Sequence, residues 1–141
     1  MSAGLGGREG MALNQDVPTI LVIEDEDGIQ SFIEDALTDG GFYPAIAPSG
    51  EEAVTLLQGH KTKYQALVTD ISLRGRMDGW AVAQHAREID PGFPVIYISG
   101  ASAAEWPSKG VPNSIMLQKP FAPAQLLTAV SQLLNAGKPA P

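Results

Sequence analysis

Carboxylates, a hydroxyl and an ammonium recur in this chain directly after short apolar runs. "TILVI" (19–23) leads into Glu24-Asp25-Glu26-Asp27, and Ala66-Leu67-Val68 gives way two residues later to Asp70. "PVIYIS" (94–99) ends in Ser99-Gly100, and "SIMLQ" (114–118) runs into Lys119-Pro120. One Asp after a strand is ordinarily a turn residue. A set of such groups at several strand ends has other chemistry. Crowded carboxylates repel, and each is driven toward neutrality unless a cation compensates. With oxygen ligands and neither Cys nor His beside them, the favoured cation is hard. Mg²⁺ takes one or two carboxylates plus waters and phosphate oxygens. A phosphate beside such a metal needs a donor and a counter-charge, which Ser99 and Lys119 can supply.

The elements that must gather these ends follow from the pattern. "TILVIE" (19–24), "QALVTD" (65–70) and "PVIYIS" (94–99) are too short and too β-branched for helices, and read as strands buried on both faces. "FYPAIA" (42–47) contains Pro44, which suits an edge strand, and "SIMLQ" (114–118) is the fifth strand. Between them, Ile29, Phe32, Ile33, Ala36 and Leu37 fall at helical spacing before Gly40-Gly41. "SGEEAVTLLQG" (49–59) opens with a capping box, Ser49 with Glu52. "WAVAQHAREID" (80–90) is helical, "ASAAEWPSKG" (101–110) is at best a short helix interrupted by Pro107, and "APAQLLTAVSQLLN" (122–135) is amphipathic. Five strands alternating with five helices predict a parallel sheet with helices on both faces. In such a sheet, ligands sit outside the carboxyl ends of the strands.

The totals bound the function. The chain has 141 residues, 44% hydrophobic and 18% charged, which predicts one globular domain. A formal net charge of -7 without a Lys/Arg run disfavours nucleic acid as a direct partner. No cysteine is present, which removes disulfides and thiolate metal sites and is compatible with a reducing cytoplasm. No apolar stretch approaches the ~20 residues that span a bilayer, so no membrane partner is expected. Residues 1–17 and 136–141 read as tails flanking a domain over 18–135.

The combination of Glu24-Asp25, Asp70, Ser99 and Lys119-Pro120 at successive strand ends resembles the response-regulator receiver domains of two-component signalling. The resemblance covers about residues 18–135. It implies a flavodoxin-like α/β fold, a doubly wound five-stranded parallel sheet in the order 2-1-3-4-5. It implies that Asp70 accepts a phosphoryl group from a phosphohistidine. Mg²⁺ would be held by Glu24, Asp25, Asp70 and the backbone carbonyl of Ser72. Lys119 would contact the phosphate, Ser99 would be the switch hydroxyl, and Lys119-Pro120 would be a cis peptide. The implied partners are a sensor histidine kinase or histidine phosphotransfer protein and a downstream protein target. Pairing of two copies through the fourth-helix to fifth-helix face is a further implication, with Leu126, Val130 and Leu133 nearby.

Three positions depart from the family pattern. Glu24 stands where an Asp is commoner, which favours metal contact through water. Arg74 replaces a Pro in a loop one residue longer before Gly79. Met116 takes the place of an aromatic switch residue. Other residues carry ordinary readings. Asp27 reads as the N-cap of the first helix, Glu26 as a solvated charge, and Asp78 as a turn residue or cap. His60 and His85 read as solvent-facing, Trp80 and Trp106 as packing residues, and Arg74 and Arg76 as solvated loop charges. The leading expectation is a single-domain response regulator. The alternatives are a receiver from a hybrid histidine kinase and an Asp-nucleophile phosphatase, although the latter normally has a second Asp where this chain has Ser72.

Overall fold

A computed structural model describes residues 17–136. Both tails assigned above therefore fall almost wholly outside the described residues. The strands are β1 (Thr19–Ile23), β2 (Tyr43–Ala47), β3 (Ala66–Asp70), β4 (Val95–Ser99) and β5 (Ile115–Gln118). They alternate with α1 (Asp27–Asp39), α2 (Gly50–Gly59), α3 (Gly79–Ile89), a 3-10 turn (Ala103–Glu105) leading into α4 (Trp106–Lys109), and α5 (Pro123–Ala136). All pairings are parallel, in the order β2-β1-β3-β4-β5. This is the doubly wound flavodoxin-like arrangement implied by the resemblance, with Pro44 on the edge strand as expected.

The strand residues alternate between two cores. Leu21, Ile23, Leu67, Val95 and Tyr97 pack with Ala53, Leu57, Val82 and Ala83 from α2 and α3. Ile20, Val22, Val68, Ile96 and Ile98 pack on the other face with Ile33, Leu37, Leu126 and Val130 from α1 and α5. Each fully buried Leu or Ile contributes about 2 kcal/mol by leaving water. Leu126 and Val130 are fully buried in this second core, so neither offers area for pairing two copies.

The helix ends show where local chemistry decides. Ser49 caps α2 by accepting from the Glu52 N–H at 3.2 Å, as the capping box predicts. Asp78 caps α3 by accepting from the Ala81 N–H at 2.9 Å. Asp27 does not cap α1. It is the first helical residue, Glu26 is the N-cap, and no side chain caps this end. The Glu26 carbonyl accepts from the Gln30 N–H at 2.9 Å, so the helical hydrogen bonds begin one residue before Asp27. The Glu24 carboxylate accepts from the N–H groups of Asp25 and Glu26, both at 3.1 Å. Pro107 does not interrupt a helix either. It sits in the first turn of α4, where its missing N–H costs nothing.

Candidate functional site

The parallel register brings the carboxyl ends of β1, β3, β4 and β5 to one edge, and Asp70 ends β3 at its centre. Asp70 is buried. Its Oδ2 accepts from Lys119 Nζ at 2.8 Å, and its Oδ1 accepts from the Ser72 N–H at 3.1 Å. Lys119 reaches this point from the end of β5, just before a cis peptide to Pro120. Its Nζ also lies 3.6 Å from Glu24 Oε1 and 4.0 Å from Glu26 Oε1. One ammonium therefore faces three carboxylates.

Glu24 is fully buried, and its Oε1 has no hydrogen-bond partner. Burial and then the charge of Asp70 push its carboxyl up to about 7, against the hydrogen bond from the Glu26 N–H and the pull of Lys119. On Lys119, burial works to favour the neutral amine. The hydrogen bond and charge of Asp70, with Glu24 and Glu26, outweigh it and raise the value. Oxygens of Glu24, Glu26 and Asp70 lie within 4.8 Å of one another and could hold a metal ion. The enclosed, unpartnered oxygen of Glu24 fits a hard cation, because an oxygen deprived of water gains most from a positive neighbour.

Glu26 is exposed, as expected of a solvated charge, and one of its oxygens also joins the carboxylate cluster, 4.0 Å from Lys119 Nζ. Asp25 stands outside that cluster. Its Oδ2 accepts from the Arg74 N–H at 2.9 Å, with Arg74 Nε at 3.8 Å. Arg74 keeps a solvated side chain, 83% exposed, while its backbone amide reaches the site. A backbone contact of this kind has no side-chain signature, so the sequence could not reveal it.

Ser99 is buried, and its Oγ accepts from the Ser102 N–H at 2.7 Å, tying the end of β4 to the 3-10 turn. Met116 lies opposite Tyr97 in the β4–β5 register. Tyr97 is itself an enclosed aromatic, its hydroxyl accepting from the Val111 N–H at 3.1 Å. Trp80 packs on Tyr97 with ring centroids 4.8 Å apart, and Trp106 Nε1 donates to Ser114 Oγ at 2.9 Å. Both tryptophans are thus engaged within the fold. His60 is exposed and ends α2 in the left-handed conformation. His85 Nδ1 lies 3.4 Å from Glu88 Oε1, a local pair on α3 far in sequence from the site. Gly79 lies against the backbone of Asp70 and Ile71. Its N–H donates to Ile71 O at 2.9 Å, and a Cβ there would lie 2.2 Å from the Asp70 carbonyl oxygen.

A doubly wound sheet with a Lys-clasped aspartate among carboxylates at its C-terminal edge defines a receiver. The family model for the response regulator receiver domain matches residues 20–131, and the chain belongs to that family. The response regulator receiver protein CpdR of Brucella abortus is 32% identical over 119 residues, which is 83% of this chain and 97% of CpdR. The transcriptional regulatory protein CusR of Escherichia coli is 29% identical over 120 residues, 84% of this chain and 52% of CusR. The chain thus spans nearly all of one relative and about half of the other. The crystal structure of a response regulator receiver protein from Sinorhizobium medicae is 48% identical, with a TM-score of 0.85 over 88% of this chain and 99% of that one. Receiver domains are signalling proteins rather than enzymes in the usual sense. Among the described residues, no helix is long and apolar enough to cross a membrane.

Proposed function

We propose that the chain is a single-domain response regulator, one receiver unit over residues 18–135, that takes a phosphoryl group onto Asp70. The observation that carries this reading is the pairing of buried Asp70 with Lys119 Nζ at 2.8 Å beside the unpartnered Glu24 Oε1. The donor is the phosphohistidine of a sensor histidine kinase or histidine phosphotransfer protein in the cytoplasm. A carboxylate oxygen of Asp70 attacks phosphorus, the P–N bond breaks, and the imidazole leaves with the bonding electron pair. Such transfer needs positioning and charge neutralisation more than covalent help.

Lys119 moves its hydrogen bond from Asp70 to an oxygen of the new phosphoryl group, and Ser99 releases the Ser102 N–H to turn toward it. Glu24, Asp25, Asp70 and the Ser72 carbonyl would hold Mg²⁺, which would supply positive charge to the phosphoryl oxygens. The acyl phosphate biases a protein-binding surface between two states. Moving it from mostly one to mostly the other takes a differential of about 5 kcal/mol.

The test is incubation with acetyl phosphate and Mg²⁺ followed by intact mass. One labile phosphoryl group is expected, absent in EDTA and absent in Asp70→Asn. An adduct that persists in Asp70→Asn overturns the assignment.

A further inference from the structure

The loop between Asp70 and α3, where this chain departs most from the family pattern, is clamped from outside the site. Its Arg76 N–H donates to Glu51 Oε2 at 3.0 Å, across from the first turn of α2. Glu51 Oε1 beside it is enclosed and has no hydrogen-bond partner. The Arg76 N–H holds the Glu51 carboxyl below its ordinary value, so the acceptor is a carboxylate. Gly75 makes the approach feasible. It adopts φ +96, and a Cβ there would lie 2.9 Å from Glu51 Oε2. Two residues before Arg76, the Arg74 N–H donates to Asp25 Oδ2 at 2.9 Å. Leu73 and Met77 flank these contacts and pack onto the core beneath. The loop is therefore a short strap fastened at Glu51 and resting on Asp25.

We propose that Glu51 is a positioning residue for the phosphoacceptor site, acting through the Gly75–Arg76 turn and the Arg74 amide to orient the Asp25 carboxylate. The inference rests on the receiver reading above, in which Asp25 serves the cation. A carboxylate that ligates a metal is held by its own hydrogen bonds, and loss of such a partner costs about 10–100-fold in metal affinity. Glu51 stands one step further out, at the fastening of the strap. Its removal frees the turn, and the Arg74 amide leaves Asp25 with it.

The test uses Glu51→Ala, Glu51→Gln and Gly75→Ala in the full chain. Two readouts are taken, amide hydrogen exchange at Arg74 and Arg76 in metal-free protein and the Mg²⁺ dissociation constant by titration calorimetry. In Glu51→Ala both amides are expected to lose protection and Mg²⁺ binding to weaken about tenfold. Gly75→Ala is expected to do the same by pushing the turn off Glu51. Glu51→Gln keeps an acceptor oxygen and is expected to retain both properties. A Glu51→Ala protein that loosens Arg76 alone, with Arg74 protection and Mg²⁺ affinity unchanged, overturns the inference and leaves the receiver reading intact. A wild-type protein that binds no Mg²⁺ and takes no phosphoryl group overturns both.

Discussion

Replacing Glu24 by Gln is expected to stabilise the metal-free protein at pH 8 and to change little at pH 5. Burial and the charge of Asp70 push the Glu24 carboxyl from 4.5 up to about 7 in the folded protein. A carboxyl raised in this way binds its proton more tightly folded than unfolded. Its contribution is favourable below the unfolded value and is lost as pH rises through the folded one. One pKa unit is worth about 1.4 kcal/mol. The rise from 4.5 to about 7 then caps the loss at about 3 kcal/mol. Gln removes that loss and keeps an acceptor for the Asp25 and Glu26 N–H groups. The attraction to Lys119 Nζ at 3.6 Å is already contained in the value of about 7, so nothing further is subtracted. The net gain at pH 8 is about 3 kcal/mol, or roughly 10 °C in Tm for a domain of this size. Thermal unfolding of both proteins in EDTA, at pH 5 and pH 8, reads it directly. The difference between the two proteins cancels the other groups that titrate in both. A Gln variant no more stable than wild type at pH 8, relative to its standing at pH 5, would refute the argument that Glu24 is ionised there at a cost.

Lys119→Met strips the buried carboxylates of their cation and is expected to cost about 3 kcal/mol at pH 7.5. Urea unfolding should show the deficit shrinking toward pH 5 as Glu24, raised to about 7, takes up its proton, and a pH-independent deficit would count against an electrostatic origin. Gly79→Ala places a methyl group against the Asp70 carbonyl oxygen, a backbone atom that cannot step aside. It should lose about 3 kcal/mol by calorimetry and slow phosphorylation by displacing Asp70. Ser99→Ala leaves the Ser102 N–H without its acceptor and should cost about 1 kcal/mol in chemical denaturation.

The sheet and the centre of the site were legible because their signals are local. A β-branched run that stops in Asp70 or Lys119 announces both a buried strand and the residue at its rim, and parallel topology gathers the rims. Pro44 announced the edge, and Ser49 with Glu52 announced the start of α2. The contacts that escaped depend on the path of the chain. Asp27 looked like a cap because Asp is a good one, but the Gln30 N–H bonds the Glu26 carbonyl and the helix starts one residue earlier. Glu26 is exposed as read, but nothing local says that Lys119, far along the chain, comes back beside it. Arg74 and Glu51 act through backbone amides, where side-chain identity is silent. Gly75 was the one visible hint, a residue suited to the positive φ that the turn adopts.

The most direct measurement is chemical mapping of the acyl phosphate. The full chain is phosphorylated with a small-molecule donor and Mg²⁺, reduced with borohydride, digested and sequenced by mass spectrometry. Conversion of Asp70 to homoserine, dependent on donor and metal, is the predicted result. Reduction at another carboxylate, or none under conditions where the intact protein gains a phosphoryl group, would contradict the account.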